Sequence, residues 1–202
     1  MVEKIDVQFT IFNKNNGILT KRIFLNKYGK DDKDSTQCWM SKGYAQVHKC
    51  HFKEFPALLR SLNKNECIVH GIFNDQKYGD EDGVVGIVTK AIKQQEYIAE
   101  NLIISRSLDF FHYPNENAIT MFDYDVEEGE EVLSVTEYID IMSSIVPHFK
   151  ECAKVVTPST SSCIYDANDN LLTDNKPSFH MYFVVKDSTD CNQRFTFQPK
   201  SS

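Results

Sequence analysis

Two carboxylates one residue apart are the most chemically suggestive feature of this 202-residue sequence. Asp123 and Asp125 end the apolar, β-rich run at 118–126, Ala-Ile-Thr-Met-Phe-Asp-Tyr-Asp-Val. Side chains alternate faces along a strand, so residues i and i+2 project on the same side. Two like charges held this close repel each other unless a cation lies between them. The pair therefore predicts a divalent-metal site at the C-terminal end of a strand, where ligands bind in open α/β sheets.

Two further polar groups could join the acid pair. Ser178 and His180 start a second apolar run, and the same i, i+2 spacing lets them share a strand face. A hydroxyl-rich turn, with hydroxyls and backbone N–H groups to offer an anion, precedes them: Ser159, Thr160, Ser161 and Ser162. These groups suit metal-dependent nucleotidyl transfer, and a metal-dependent phosphoesterase would use them too. Taken singly, each also fits an ordinary surface loop, core histidine or turn.

Hydrophobic periodicity predicts the elements that would position these residues. After the acids, 132–149 has the pattern of an amphipathic helix of about four turns. The next apolar run, 154–157, predicts a strand parallel to the acid strand across this helical crossover. The run at 178–186 predicts the strand that carries His180.

The N-terminal half has shorter patterns. Alternation predicts a strand at 5–12, and the turn residues 13–17 lead to a second strand at 18–25, which suggests a hairpin. Further predictions are a polar loop at 27–35, a helix at 52–62, a strand at 67–73 and a helix-compatible segment at 89–100. Without a composition break, we expect one α/β (α+β) domain over 1–202, with an N-terminal α/β part at 1–115 and the site-bearing sheet at 116–202.

Composition limits the class of protein. Hydrophobic content of 41% and charged content of 25% are ordinary for a soluble globular chain. No apolar run is long enough to cross a bilayer. We therefore expect a cytoplasmic protein without a membrane partner. Six scattered cysteines predict free thiols. A net charge of −7 argues against a surface coated in positive charge but allows a local basic groove. Candidate cations for phosphate or nucleic acid are Lys21, Arg22, Lys42, Arg60 and Arg106.

Six short blocks stand in order along the sequence: 19–25, 38–43, 104–107, 121–125, 158–162 and 178–183. In this order they resemble the archaeo-eukaryotic primase superfamily, specifically the primase-polymerase modules of plasmid and phage replication proteins. The resemblance covers nearly the whole chain, with Asp123 and Asp125 on the family's first motif, hydrophobic-Asp-hydrophobic-Asp, and Ser178-x-His180 on its second.

This resemblance implies an RRM-like primase catalytic sheet packed against a smaller N-terminal α/β unit. It also implies a nucleotidyltransferase of DNA replication. Such an enzyme is a DNA primase or DNA polymerase that synthesises a new strand along a DNA template from nucleoside triphosphates. Asp123 and Asp125 would hold Mg²⁺ or Mn²⁺, and His180, supported by Ser178, would contact the phosphates of the incoming nucleotide. A replicative helicase, as a domain or a protein, is the further partner that the resemblance suggests.

The family's third motif has no counterpart in the sequence. It is a further Asp on a strand downstream of the Ser-x-His strand, and Asp187 and Asp190 follow that strand too closely to supply it. The chain is then expected to be either a fragment of a longer protein or a shortened relative with an incomplete metal site. In the second case the surviving function would be nucleotide or DNA binding.

Overall fold

The computed structural model shows a mixed α/β architecture, with one large mixed sheet and few helices. Among the described residues no helix is long and apolar enough to cross a membrane. The structure describes residues 5–29, 31–91, 103–126, 131–159, 162, 165, 170 and 178–186.

Ten strands and three short α-helices make up the described chain. The strands are β1 (Asp6–Lys14), β2 (Arg22–Leu25), β3 (Asp31–Asp34), β4 (Lys42–His51), β5 (Glu66–Val69), β6 (Val84–Val88), β7 (Ile103–Ser105), β8 (Ala118–Tyr124), β9 (Lys154–Pro158) and β10 (Phe179–Val185). The helices are α1 (Phe55–Ser61), preceded by a 3₁₀ turn (Phe52–Glu54), α2 (Asp75–Tyr78) and α3 (Val135–Ile145).

β1 joins the two halves of the chain in one sheet. The main sheet has the order β7-β6-β4-β1-β8-β10-β9, while β2 and β3 form a separate two-stranded ribbon. β1 pairs antiparallel with β4, and on its other side it meets β8 in parallel at Gln8 and Ala118. β5 pairs antiparallel with the second half of β1, on the same side as β8. β5 therefore fills the space that opens as β8 diverges from β1.

The C-terminal half follows the predicted order of strand, helix and strands. β8 and β9 both pair antiparallel with β10, so they run parallel to each other with β10 between them. The helix α3 is shorter than predicted, since it begins after Ser134 and ends at Ile145. Ser134 Oγ accepts a hydrogen bond from the Glu137 N–H, and Glu137 accepts one from the Ser134 N–H. This capping box fixes the start of α3.

Two N-terminal predictions are wrong. The expected hairpin between 5–12 and 18–25 does not form, because β1 pairs with β4 and β2 pairs with β3. The expected loop at 27–35 contains β3, an acidic strand whose Asp34 lies opposite Arg22 of β2. Charged side chains are depleted in strands and look like loop residues, but an exposed ribbon tolerates them. The predicted strand at 67–73 is real but ends at Val69, and most of the helix-compatible segment 89–100 lies outside the described residues.

The sheet has two differently covered faces. One, the α3 face, packs Phe122, Met181 and Phe183 against α3. The other, the α1 face, carries Phe9 and Tyr182 and is covered in its middle by Phe55. The Phe55 ring meets Phe9 edge-on with centroids 5.6 Å apart and Tyr182 with centroids 5.4 Å apart. Strand alternation puts Asp123 and His180 on this α1 face.

The described cysteines are free thiols, as predicted. Cys38, Cys50, Cys67 and Cys152 are partly buried and unpaired with one another. Burial raises the pKa of the Cys50 and Cys67 thiols, so both stay protonated at neutral pH.

Candidate active site

The acid pair lies where β8 leaves the core. Ala118 and Ile119, at the start of the strand, are fully buried, whereas Asp123 exposes 51% of its side chain. Phe122 and Tyr124 point to the α3 face and pack in its core, which leaves Met121 and Asp123 on the opposite, α1 face. The apolar part of β8 therefore anchors the strand, and its end presents a carboxylate to solvent.

Asp123 and His180 are direct neighbours across two strands. They lie opposite each other in the antiparallel register of β8 and β10. His180 Nε2 is 3.2 Å from Asp123 Oδ1, which is within ion-pair distance when the imidazole is protonated. His180 exposes 22% of its side chain, so the pair sits at the rim of the packed face rather than within it. The structure thus brings together the two motifs that the sequence separates by more than fifty residues.

Asp125 follows β8 by one residue and is exposed. Val126, next to it, is buried and holds this segment to the protein. Carboxylate oxygens are the ligands that Mg²⁺ and Mn²⁺ prefer, and Mg²⁺ is commonly bound by one or two carboxylates with substrate phosphates and waters. The two acids therefore fit such an ion, although the described residues contain no cluster of three or more His, Cys, Asp or Glu side chains placed to hold a metal.

The serine turn is attached to the start of the histidine strand. The Ser159 N–H donates to the Ser178 carbonyl at 2.9 Å, and the Ser162 N–H donates to the Ser159 carbonyl at 3.0 Å. All three serines are buried. Ser178 and Ser159 are therefore close to each other and next to His180, whereas Thr160 and Ser161 lie outside the described residues.

Tyr182 and Thr157 complete the surface around His180, and the sequence analysis does not single them out. Tyr182 follows His180 by two residues on the same face, and its ring stands at 89° to the imidazole with centroids 6.4 Å apart. Burial, and secondarily the charge of Asp123, raises the pKa of the Tyr182 phenol, so its hydroxyl stays protonated at neutral pH. Thr157 of β9 lies opposite His180. The i, i+2 rule applied beyond His180 would have indicated Tyr182.

The predicted nucleic-acid cations lie beside other strands than the carboxylates do. Arg106 follows β7, which is four places from β8 in the strand order, and its charge acts on the Cys67 thiol of β5. Lys21 and Arg22 belong to the β2–β3 ribbon and are exposed. There, hydrogen bonds from Thr36 and, more weakly, the Arg22 charge lower the pKa of Asp34. β7 and the β2–β3 ribbon do not pair with β8 or β10, and local sequence patterns do not give this pairing.

Comparisons of the chain with protein-family models, curated proteins and solved structures find no match. The functional interpretation therefore depends on the geometry of the site and on the sequence resemblance.

Proposed function

We propose that the protein catalyses template-directed nucleotidyl transfer, as a primase-polymerase that uses Mg²⁺ or Mn²⁺. The observation that carries the proposal is the Asp123–His180 contact across β8 and β10, at an open strand end with Asp125 beside it. Carboxylates and an imidazole on one exposed face are the groups that a metal-bound triphosphate needs.

Each group has a distinct proposed role. Asp123 and Asp125 would hold the divalent ion, which when bound neutralises phosphate charge and activates the attacking hydroxyl. His180, whose Nε2 is 3.2 Å from Asp123 Oδ1, has its ring at the exposed strand end, where it would donate a hydrogen bond to a triphosphate oxygen. Tyr182, edge-on to that ring, limits the directions in which it can turn. The nucleoside triphosphate, the DNA template and a replicative helicase would be the partners.

The topology of the C-terminal half supports the same proposal. The chain runs β8–α3–β9–β10, with β10 inserted between two parallel strands and α3 packed on one face. This is the order of the first four elements of an RRM-like unit, and the acid strand and the histidine strand are its two central neighbours. We propose that this unit is the catalytic sheet and that β1–β7 form the N-terminal part packed beside it.

The experiment is primer synthesis and extension by the whole chain on a single-stranded DNA template, with nucleoside triphosphates and Mg²⁺ or Mn²⁺. We expect metal-dependent synthesis that Asp123→Ala/Asp125→Ala lowers by more than the roughly 10- to 100-fold loss typical of changes beside a metal site. Asp140→Ala is the matched control, because Asp140 is an exposed acid on α3 that pairs with Lys150 away from β8. Its activity should equal that of the wild type.

Three results would contradict the proposal. Wild-type protein that makes no product would leave nucleotide or DNA binding by a catalytically incomplete module as the function, provided that binding is seen. Hydrolysis of nucleotides without a template would indicate a phosphoesterase built on the same acids. Equal activity of the double alanine variant would show that the acid pair is not catalytic.

A further inference from the structure

Strand β4 presents very different side chains to the two faces of the sheet. On the α3 face it carries small or apolar residues that pack into the core: Gly43, Ala45 and Val47. On the α1 face it carries a cation, an aromatic ring, an amide and an imidazole in succession, and we call these four the β4 row: Lys42, Tyr44, Gln46 and His48. The next residue on that face, Cys50, is already packed near α1.

Tyr44 stands between two cavities on this face. A cavity of about 390 Å³ is lined by Ile11, Gln46 and His48 among others, and a second of about 220 Å³ lies toward Gly86 and Ile103. Tyr44 lines both and is 53% exposed. Its cross-strand partners are Asn13 of β1 and Gly86 of β6, and Gly86 has no side chain to cover the phenol ring. A flat group can therefore stack on the Tyr44 ring from the Gly86 side.

Polar groups around Tyr44 can form hydrogen bonds with such a ligand. Gln46 uses its Nε2 to donate to the Asp82 carbonyl at 3.1 Å, which fixes the amide at the cavity wall. His48 lies flat against Phe9, with ring centroids 6.1 Å apart, and its burial lowers its pKa, so the neutral imidazole offers one donor and one acceptor. Glu66 also lines the larger cavity, and both of its carboxylate oxygens accept hydrogen bonds from neighbouring asparagines.

The register of the sheet relates the β4 row to the candidate active site. Ala118 of β8 pairs with Gln8 of the parallel β1, so Asp123 and Asn13, each five residues further along, lie toward the same end of the sheet. Asn13 in turn pairs with Tyr44, and alternation puts both on the α1 face with Asp123. With β1 and β5 between β4 and β8, the lateral separation is about 14 Å at the usual strand spacing.

We propose that the β4 row and its two cavities bind single-stranded nucleic acid, with unpaired bases stacked against Tyr44. Lys42 would attract the backbone phosphates, and Gln46 and His48 would contact base edges. Aromatic rings on an open sheet, with cations and amides beside them, are how many sheets hold single strands. This inference rests on the proposed function in one respect: the bound strand is taken to be the template, which leads across the sheet toward Asp123.

The test is fluorescence anisotropy of the whole chain with a fluorescein-labelled oligo(dT) of roughly 16 nucleotides. We expect Tyr44→Ala to weaken binding by roughly 5- to 150-fold, the range that loss of one base-stacking ring produces. Tyr44→Phe should bind like the wild type because it keeps the ring. Tyr44→Leu, which keeps apolar bulk without a flat ring, should bind as weakly as Tyr44→Ala. Tyr28→Ala is the matched control, since Tyr28 is 74% exposed on the β2–β3 ribbon.

The inference and the proposed function fail in distinguishable ways. Asp123→Ala/Asp125→Ala should still bind oligo(dT), and its binding should still be weakened by Tyr44→Ala, because the β4 row is intact in that variant. Binding that depends on Tyr44 without any primer synthesis would refute the proposed function alone. Wild-type protein that does not bind oligo(dT), or Tyr44→Ala and Tyr44→Leu variants that bind it as the wild type does, would overturn this inference. Equal loss of binding in Tyr28→Ala would also overturn it.

Discussion

Replacing Phe55 with alanine tests whether α1 holds the two halves of the sheet together. Phe55 is fully buried, and its ring lies against Phe52 and edge-on to Phe9 of β1 and Tyr182 of β10. Phe-to-Ala changes at such positions cost about 3–5 kcal/mol through lost burial and the cavity that remains. Loss of two edge-on aromatic pairs, each worth about 0.5–1.5 kcal/mol beyond area, places Phe55→Ala in the upper part of that range.

The assay is urea and thermal unfolding followed by circular dichroism. In a domain of this size each kcal/mol lowers Tm by about 2–4 °C, so Phe55→Ala should lower it by about 6–20 °C. Phe24→Ala is the matched control, because Phe24 is 48% exposed on the β2–β3 ribbon, and its effect should stay within about 1 kcal/mol. If Phe55→Ala lowers the free energy of unfolding by less than about 1 kcal/mol, then α1 does not hold the two halves of the sheet together.

Two further predictions concern single residues of the fold. The free energy of unfolding should fall as pH drops below about 6.5. Burial lowers the pKa of His70, so the imidazole takes up its proton in the unfolded chain before it does so in the folded protein. The slope for one such group is up to about 1.4 kcal/mol per pH unit. Chemical denaturation at several pH values checks this, and an equally steep curve for His70→Gln would contradict it. Ser134→Ala should lower the free energy of unfolding by about 1 kcal/mol, because it removes the N-cap of α3. Ser144→Ala, on the exposed side of the same helix, is the control and should leave the free energy of unfolding nearly unchanged in the same assay.

The strands with strong apolar patterns could be predicted from sequence, and those defined by distant partners could not. β1, β8 and β10 alternate or run apolar because each has a buried face, so their positions follow from local pattern. β3 is Asp-Asp-Lys-Asp, which has no apolar face to reveal it, and it exists because β2 pairs with it. The hairpin prediction failed for the same reason, since the turn after β1 does not determine which strand becomes its neighbour.

The candidate site, too, could be predicted from the sequence only in part. Strand alternation alone predicts that Asp123 and Asp125 share a face, and that Ser178 and His180 do so too. The contact between Asp123 and His180 also requires β8 and β10 to be neighbours in one register, which the structure supplies. Arg106 follows β7 and Lys21 precedes β2, and no local sequence pattern determines where these elements lie relative to the acids.

The N-terminal half supports the candidate site even though it contributes none of the carboxylates. Phe55 contacts Tyr182, Tyr182 stands against the His180 ring, and His180 pairs with Asp123. Ile119, Tyr182 and Val184 of the site strands pack in one cluster with residues of β1 and α1, and with Phe52, Ile68 and Val155. Without that cover, the apolar part of β8 and β10 would face water on the side that presents Asp123 and His180. The orientation of the histidine toward the carboxylate is therefore set by packing that starts with β1, at the other end of the sequence.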